Sequence, residues 1–149
     1  MVCHETMEPS IGGRRVPFLY HPLIVHFPTA LWLTSALFDV LYLRGGDRFY
    51  SRASQFIIGL GVLAAIASII TGFVDFRPLV AEGIGQAFVD RHRLHSTLAY
   101  ASTIVYLVSF VLRWRRPNLG RAAIAVLLVL GAGLIVGTGY LGGEVRRVM

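Results

Sequence analysis

The chain has 149 residues, of which 55% are hydrophobic, and its mean hydropathy is +0.65. These values exclude an ordinary soluble domain, which carries more charge and fewer apolar residues. All fourteen basic residues are arginine, and the formal net charge is +6. Because the arginines lie at the ends of apolar stretches and form no stripe interleaved with aromatic residues, they indicate contact with lipid headgroups and argue against a nucleic-acid partner.

A polar tail, residues 1–20, precedes the first apolar stretch. The tail contains Cys3, the one cysteine of the sequence, so a disulfide within the chain is excluded. It has no apolar core of the kind found in a cleavable signal peptide, and we expect the first membrane span to direct insertion. The rest of the chain, residues 21–149, is predicted to form a single membrane domain.

Four stretches are nearly free of charge, and each approaches the roughly 20 residues that cross a hydrocarbon core as a helix. Two segments within them, residues 57–70 and 122–136, are apolar on all sides and so lack the polar face of a soluble helix. The sequence therefore predicts an all-α integral membrane protein, an up-down-up-down four-helix bundle. The predicted spans are residues 23–43, 56–74, 97–112 and 122–141.

The connections between these spans differ in length and charge. Residues 47–54 and 113–118 predict tight turns, whereas residues 75–93 are long enough for a short helix on the membrane surface. No internal repeat is visible. The arginines divide equally between the two faces, but those beside the short turns weigh more in the positive-inside rule, which predicts both termini outside.

The ionisable residues of the spans gather at one face of the predicted bundle. In a four-helix serpentine, the starts of spans 1 and 3 lie at the same face as the ends of spans 2 and 4. Ionisable groups inside a membrane are costly, and by default they are candidates for function. The candidates at this face are His21, His26, Asp75, His92 and His95.

Two prolines shape the start of the first span. Pro22 predicts that the helix begins at His21, because proline suits the first turn and has no amide hydrogen to lose. Pro28 leaves the carbonyl of Ile24 without its usual partner, which is expected to bend the helix beside His26.

The histidine spacings indicate which side chains can act together. His21 and His26 are about 140° apart around a helix axis, so they are not expected to bind one metal together. His92 and His95 are roughly 60° apart, and one of them can face His26. Two imidazoles at one depth on different helices can hold b-type haem. The leading hypothesis is haem b between spans 1 and 3 with His26 and His95 as axial ligands, in a space provided by Gly72, Ala99 and Gly137.

Each candidate also has a simpler role. A histidine near a membrane interface can hydrogen-bond a backbone carbonyl or a carboxylate. Asp75 can form a salt bridge with Arg77, or it can accept the N–H of a ligating imidazole or a proton from a quinol. Asp39, near the opposite interface, is expected to pair with Arg52, Arg113 or Arg121.

Part of the first span resembles a known family. The run His21-Pro22-Leu23-Ile24-Val25-His26-Phe27-Pro28, followed by an apolar helix with Asp39, resembles the bacterial membrane-protein family DUF2231. Gly72 and Asp75 after the second span, a histidine that opens the third and the pair Gly142-Gly143 agree with it. The resemblance implies a four-helix protein of the bacterial inner membrane. Some members are joined to Rieske-type iron–sulfur domains, which implies proximity to quinol or cytochrome electron transfer.

The resemblance covers about residues 20–143, with one departure. Family members usually open the third span with a histidine followed by an asparagine, whereas Ser96 and Thr97 occupy that region here. Whether His92 or His95 is the equivalent histidine therefore stays open.

Three functions fit these patterns. The first is a small b-type cytochrome subunit that passes electrons between a quinol, or another carrier, and a partner redox protein. The second is a non-redox accessory subunit of a larger respiratory or photosynthetic membrane complex, with no cofactor or with a chlorophyll-type pigment on one histidine. The third, a metal-ion or proton pathway through His26, Asp75 and His95, is disfavoured because the middles of spans 2 and 4 offer little beyond Ser68 and Thr138. Nothing in the sequence predicts a nucleophilic catalytic site, so a stand-alone enzyme is not expected.

Overall fold

The computed structural model describes residues 20–81, 83 and 85–147. The predicted tail, apart from Tyr20, lies outside these residues, and so does Cys3. Within the described ranges the regular structure is entirely α-helical. The helices are α1 (His21–Ile24), α2 (His26–Gly45), α3 (Arg48–Ala81), α4 (Gln86–Arg115) and α5 (Arg121–Arg147).

Four helical segments are long and apolar enough to cross a membrane, which confirms the prediction of an all-α membrane bundle. Each extends the corresponding predicted span at both ends. Because α3 continues to Ala81 and α4 begins at Gln86, the described residues of the segment 75–93 form no separate surface helix, and most of them prolong the two spans. The four segments are His21–Gly45, Arg48–Pro78, Gln86–Arg115 and Arg121–Val145.

The first span is interrupted at Val25, which separates α1 from α2. Pro28 lies in the first turn of α2 and has no amide hydrogen to donate to the carbonyl of Ile24. The break therefore falls where the proline was expected to disturb the helix. Pro28 itself is buried, so its ring packs inside the bundle.

The helices pack as a square of antiparallel neighbours. Helix α2 packs on α3, α4 on α5, α3 on α4, and α2 on α5, while the short α1 packs on α3. The diagonal helices α2 and α4 meet through side chains along the centre of the bundle. The main apolar core consists of Trp32, Ile58, Val62, Ala65, Tyr106 and Ile135.

The two helical hairpins repeat one pattern of buried positions. Every buried residue of α2 has a buried counterpart in α4 at the spacing of 74 residues that separates Asp39 from Arg113. Spans 1 and 3 run in the same direction, so this pattern is that of an approximate two-fold axis along the bundle. The equivalent residues differ in type, which is why the sequence shows no repeat. In α2 they are Pro28, Trp32, Ser35 and Asp39, and in α4 they are Ser102, Tyr106, Ser109 and Arg113.

Spans 2 and 4 follow the same relation. Gly61 lies against the indole of Trp32, and Gly131 lies against the phenol ring of Tyr106. The rings of Trp32 and Tyr106 stack on each other with centroids 4.2 Å apart and planes 7° from parallel. The spacing between Gly61 and Gly131 also separates Ser68 from Thr138 and Gly72 from Gly142.

Candidate functional site: a pair of facing histidines

His21, the first residue of α1, is held by α3. Its Nδ1 lies 2.8 Å from the carbonyl oxygen of Ser68. A carbonyl only accepts, so Nδ1 carries the proton and donates it. Gly72, one turn further along α3, leaves room for the imidazole, since a Cβ there would lie 3.2 Å from Nδ1. The orientation of His21 is therefore set by a backbone carbonyl and a glycine of the neighbouring helix.

His95, on α4, is held by α5 in the same way. Its Nδ1 donates to the carbonyl of Thr138 at 3.0 Å. Gly142 leaves room for the ring, because a Cβ at that position would lie 3.3 Å from Cε1 of His95. The two-fold relation thus includes the carbonyl that accepts from each histidine and the glycine that leaves room for its ring.

The two imidazoles face each other across the bundle. Their ring centroids are 6.3 Å apart, and their planes meet at 79°. Neither Nε2 atom has a hydrogen-bond partner among residues 20–81, 83 and 85–147. In a neutral imidazole with the proton on Nδ1, the lone pair of Nε2 is free to bind a metal ion or to accept a hydrogen bond. His21 and His95 therefore present two Nε2 lone pairs at one end of the bundle.

His26 lies apart from this pair. Its side chain is exposed on the outer surface of α2 and makes no hydrogen bond or ring contact within the described part of the chain. The sequence predicted that His26 faces His95, whereas in the structure it is the ring of His21 that faces His95. The reason is helical phase, because His21 is about two turns before the buried Pro28, whereas His26 is roughly 200° away from it. The signal in the sequence that His21 faces the bundle interior was its helical spacing from Pro28, Trp32 and Asp39.

His92 belongs to an aromatic contact between α3 and α4. Its ring stacks on Phe76 with centroids 3.9 Å apart and planes 10° from parallel. The buried Phe88 lies beside both rings, with its centroid 5.9 Å from that of His92 and 6.2 Å from that of Phe76. Nδ1 of His92 is 3.4 Å from the hydroxyl of Ser96. Of the two histidines that open span 3, it is therefore His95 whose ring meets span 1.

Asp75 binds the main chain of the site and not an imidazole. Its carboxylate accepts the backbone N–H of His21 at 2.7 Å, so it caps the start of α1 from the neighbouring helix. The salt bridge considered with Arg77 is absent from the described residues, in which Arg91 pairs with Glu144. Gly72, considered as space for a macrocycle, instead accommodates the ring of His21.

An ion pair closes the opposite end of the central axis. Both terminal nitrogens of Arg113 bind the carboxylate of Asp39 at 2.7 Å, and the two residues are 4% and 2% exposed. Nη1 of Arg113 also donates to the hydroxyl of Ser54, and Nε donates to the hydroxyl of Ser109, each at 3.3 Å. Arg113 was one of the three predicted partners of Asp39, and the pairing is confirmed. With every group satisfied, this is a structural ion pair.

Within the described residues, no group of three or more His, Cys, Asp or Glu side chains is placed to hold a metal ion. The model of a family described as "Predicted membrane protein (DUF2231)" matches residues 18–148. Neither the curated proteins nor the solved structures include a match to the chain.

Proposed function

The chain belongs to the DUF2231 family, and from the geometry of its histidine pair we propose that it is a small b-type cytochrome subunit. In this proposal His21 and His95 would hold haem b between spans 1 and 3 through their Nε2 atoms. The protein passes electrons between a quinol, or another carrier, and a partner redox protein. The proposal keeps the cofactor expected from the sequence and replaces His26 by His21.

The observation that carries the proposal is the identical support of the two imidazoles. Ligating histidines characteristically donate the other ring N–H to a carbonyl or carboxylate, which fixes the tautomer and raises the basicity of the ligating nitrogen. His21 and His95 both do so, with carbonyls of two different helices. A histidine with a purely structural role needs no free Nε2, whereas these two facing rings have no hydrogen bond to either Nε2 within the described residues.

The number and spacing of the ligands favour haem over a bare ion. Haem iron takes its axial ligands from the protein and its equatorial ones from the porphyrin, whereas structural zinc needs about four protein ligands. The ring centroids of His21 and His95 are 6.3 Å apart, so one group bound between the rings would be within reach of both.

Space for the macrocycle depends on how α1 and α4 meet. Helix α1 packs against α3 and α2, and no close backbone contact joins it to α4 within the described residues. Insertion of haem between His21 and His95 would therefore displace side chains, and it would not have to separate the backbones of α1 and α4. Haem, once bound, would supply a one-electron redox centre at this end of the bundle.

The family resemblance and the charges support a proposed setting in the cell. We propose that the protein lies in the bacterial inner membrane, because the resemblance described above is to a bacterial family. The arginines beside the short turns support termini on the outer side. The histidine pair then lies near the outer face, where a quinol in the bilayer and a redox partner can both reach it.

The test is spectroscopic and uses His26 as a matched control. The full chain is purified from its native membrane in mild detergent, and a dithionite-reduced minus oxidised spectrum is recorded with a pyridine haemochrome assay. We expect sharp α and Soret bands at about one haem per chain. H21A and H95A should each lose these bands, and H26A, a change of the same kind on the same span, should keep them.

Two further readouts separate ligation from folding. The melting temperature and helical content of H21A and H95A show whether a lost spectrum reflects unfolding, and added imidazole should restore bands in folded H95A. Loss of haem in H26A with retention in H21A would overturn the ligand pair. A flat spectrum from folded wild-type protein would overturn the haem proposal and favour the accessory subunit.

A further inference from the structure

A pocket of about 430 Å³ lies at the face opposite the histidines. It is formed where α2 and α4 end and α3 and α5 begin, and its volume is in the range of small-molecule sites. Arginines dominate its polar lining. They are Arg48, Arg52, Arg113, Arg116 and Arg121.

Most of the positive charge of this pocket has no ion-pair partner among the described residues. Arg113 is neutralised by Asp39, but the other four arginines have no carboxylate partner among the described residues. Among the described residues, no aspartate or glutamate belongs to the lining. Asp47 is close in sequence but makes no ion pair with these arginines, and its carboxylate accepts the backbone N–H of Phe49 at the start of α3. Four arginines thus line one concave surface without an ion-pair partner in the described part of the chain.

One of these arginines is held in place. The guanidinium carbon of Arg121 lies 5.8 Å from the centroid of the Tyr42 ring, a cation–π contact. The guanidinium also passes over Gly46, where a Cβ would collide with it. Gly46 has a φ of 76°, in the left-handed region that favours glycine. The turn between α2 and α3 therefore fixes the position of Arg121.

The lining also has apolar residues, and they lie at the end of the membrane spans. Trp114 is 69% exposed beside the pocket, and Leu119 and the buried Ile124 complete its apolar part. Exposed tryptophan at the end of a span is typical of the headgroup level of a bilayer. The pocket thus combines an anion-binding rim with an apolar wall at the depth of lipid phosphates.

We propose that this pocket binds a phosphate-bearing anion through Arg48, Arg52, Arg116 and Arg121. The planar guanidinium group binds two phosphate oxygens at once, and basic pockets between membrane helices bind anionic headgroups. The phosphate belongs either to an anionic phospholipid of the bilayer or to a soluble phosphate compound. The site is distant from the histidine pair, so its test does not depend on haem.

The experiment measures ligand binding to the purified full chain in detergent. Phosphatidylglycerol, phosphatidylcholine and inorganic phosphate are titrated separately, with melting temperature and native mass spectrometry as readouts. We expect phosphatidylglycerol to bind and raise the melting temperature, less so at high salt. R52Q/R121Q should weaken this binding at least ten-fold, and R48Q/R52Q should do so without touching the contact between Arg121 and Tyr42.

The control removes the same charge elsewhere. Arg77 and Arg93 are exposed at the histidine face, and R77Q/R93Q should retain binding. Saturable binding of inorganic phosphate that competes with the lipid would assign the site to a soluble phosphate compound and uphold the proposal. Equal binding of phosphatidylcholine, or equal weakening by R77Q/R93Q, would overturn it, because the effect would then come from the surface as a whole.

Discussion

At the scale of single residues, the ion pair between Asp39 and Arg113 shows how the bundle tolerates charge in its interior. An unpaired charge in an apolar interior is costly, and a pair is tolerated when its geometry is good and the remaining donors are satisfied. The pair is bidentate, and Ser54 and Ser109 supply acceptors for further guanidinium hydrogens. Each partner thus makes the burial of the other possible.

Removal of one partner should be far more harmful than removal of a supporting hydroxyl. D39A leaves the guanidinium of Arg113 buried without its counter-charge, and we expect a loss of about 3–5 kcal/mol in the free energy of unfolding. S54A removes one long hydrogen bond and should cost about 1 kcal/mol or less. Denaturation in detergent measures both, and equal effects of the two substitutions would contradict this account.

At the scale of elements, small residues let the spans approach the stacked rings at the centre. Gly61 of α3 faces Trp32, and Gly131 of α5 faces Tyr106, in each case with no room for a Cβ. A Cβ added at Gly133, two residues further along α5, would meet no other atom within 4 Å. The glycines of span 4 therefore differ in role. Gly131 is needed for packing against Tyr106, whereas Gly133 has no neighbour that requires a glycine.

This difference predicts opposite signs for the same substitution on one helix. G131A forces a methyl group against the phenol ring of Tyr106, and we expect a loss of about 1–3 kcal/mol in stability. G133A adds a methyl group where nothing is near, and better helix propensity should make it neutral or up to about 1 kcal/mol stabilising. Melting temperatures of the two variants in the same detergent test this, and equal values would exclude the packing role of Gly131.

At the scale of the whole molecule, the approximate two-fold axis places complementary residues opposite each other. Asp39 faces its own equivalent, Arg113, and His21 faces its own equivalent, His95. An axis of this kind brings a residue that lies on it close to its counterpart. Two polar residues that meet in this way can be complementary or can share a ligand. Asp39 and Arg113 are complementary, and His21 and His95 are proposed to share a ligand.

The axis predicts that the ion pair can be reversed. D39R and R113D alone bring two like charges together and should fail to give a stable bundle. The double variant D39R/R113D should recover most of the stability, short by about 1 kcal/mol because Ile124 stands where Ser54 supports Arg113. Yield and melting temperature are the measurements. A double variant no better than the single ones would show that the two halves are not equivalent.

The sequence by itself determined the membrane class, the four spans, the break near Val25, the common face of the histidines and a short set of partners for Asp39. These features depend on apolar length, on proline chemistry and on connectivity, all of which are local or topological. The tertiary structure decided that His21 and not His26 meets His95, that Asp75 binds a backbone amide, and that the halves correspond despite unlike residues. Those outcomes depend on the rotation and register of each helix against its neighbours, which packing sets and which no single span encodes alone.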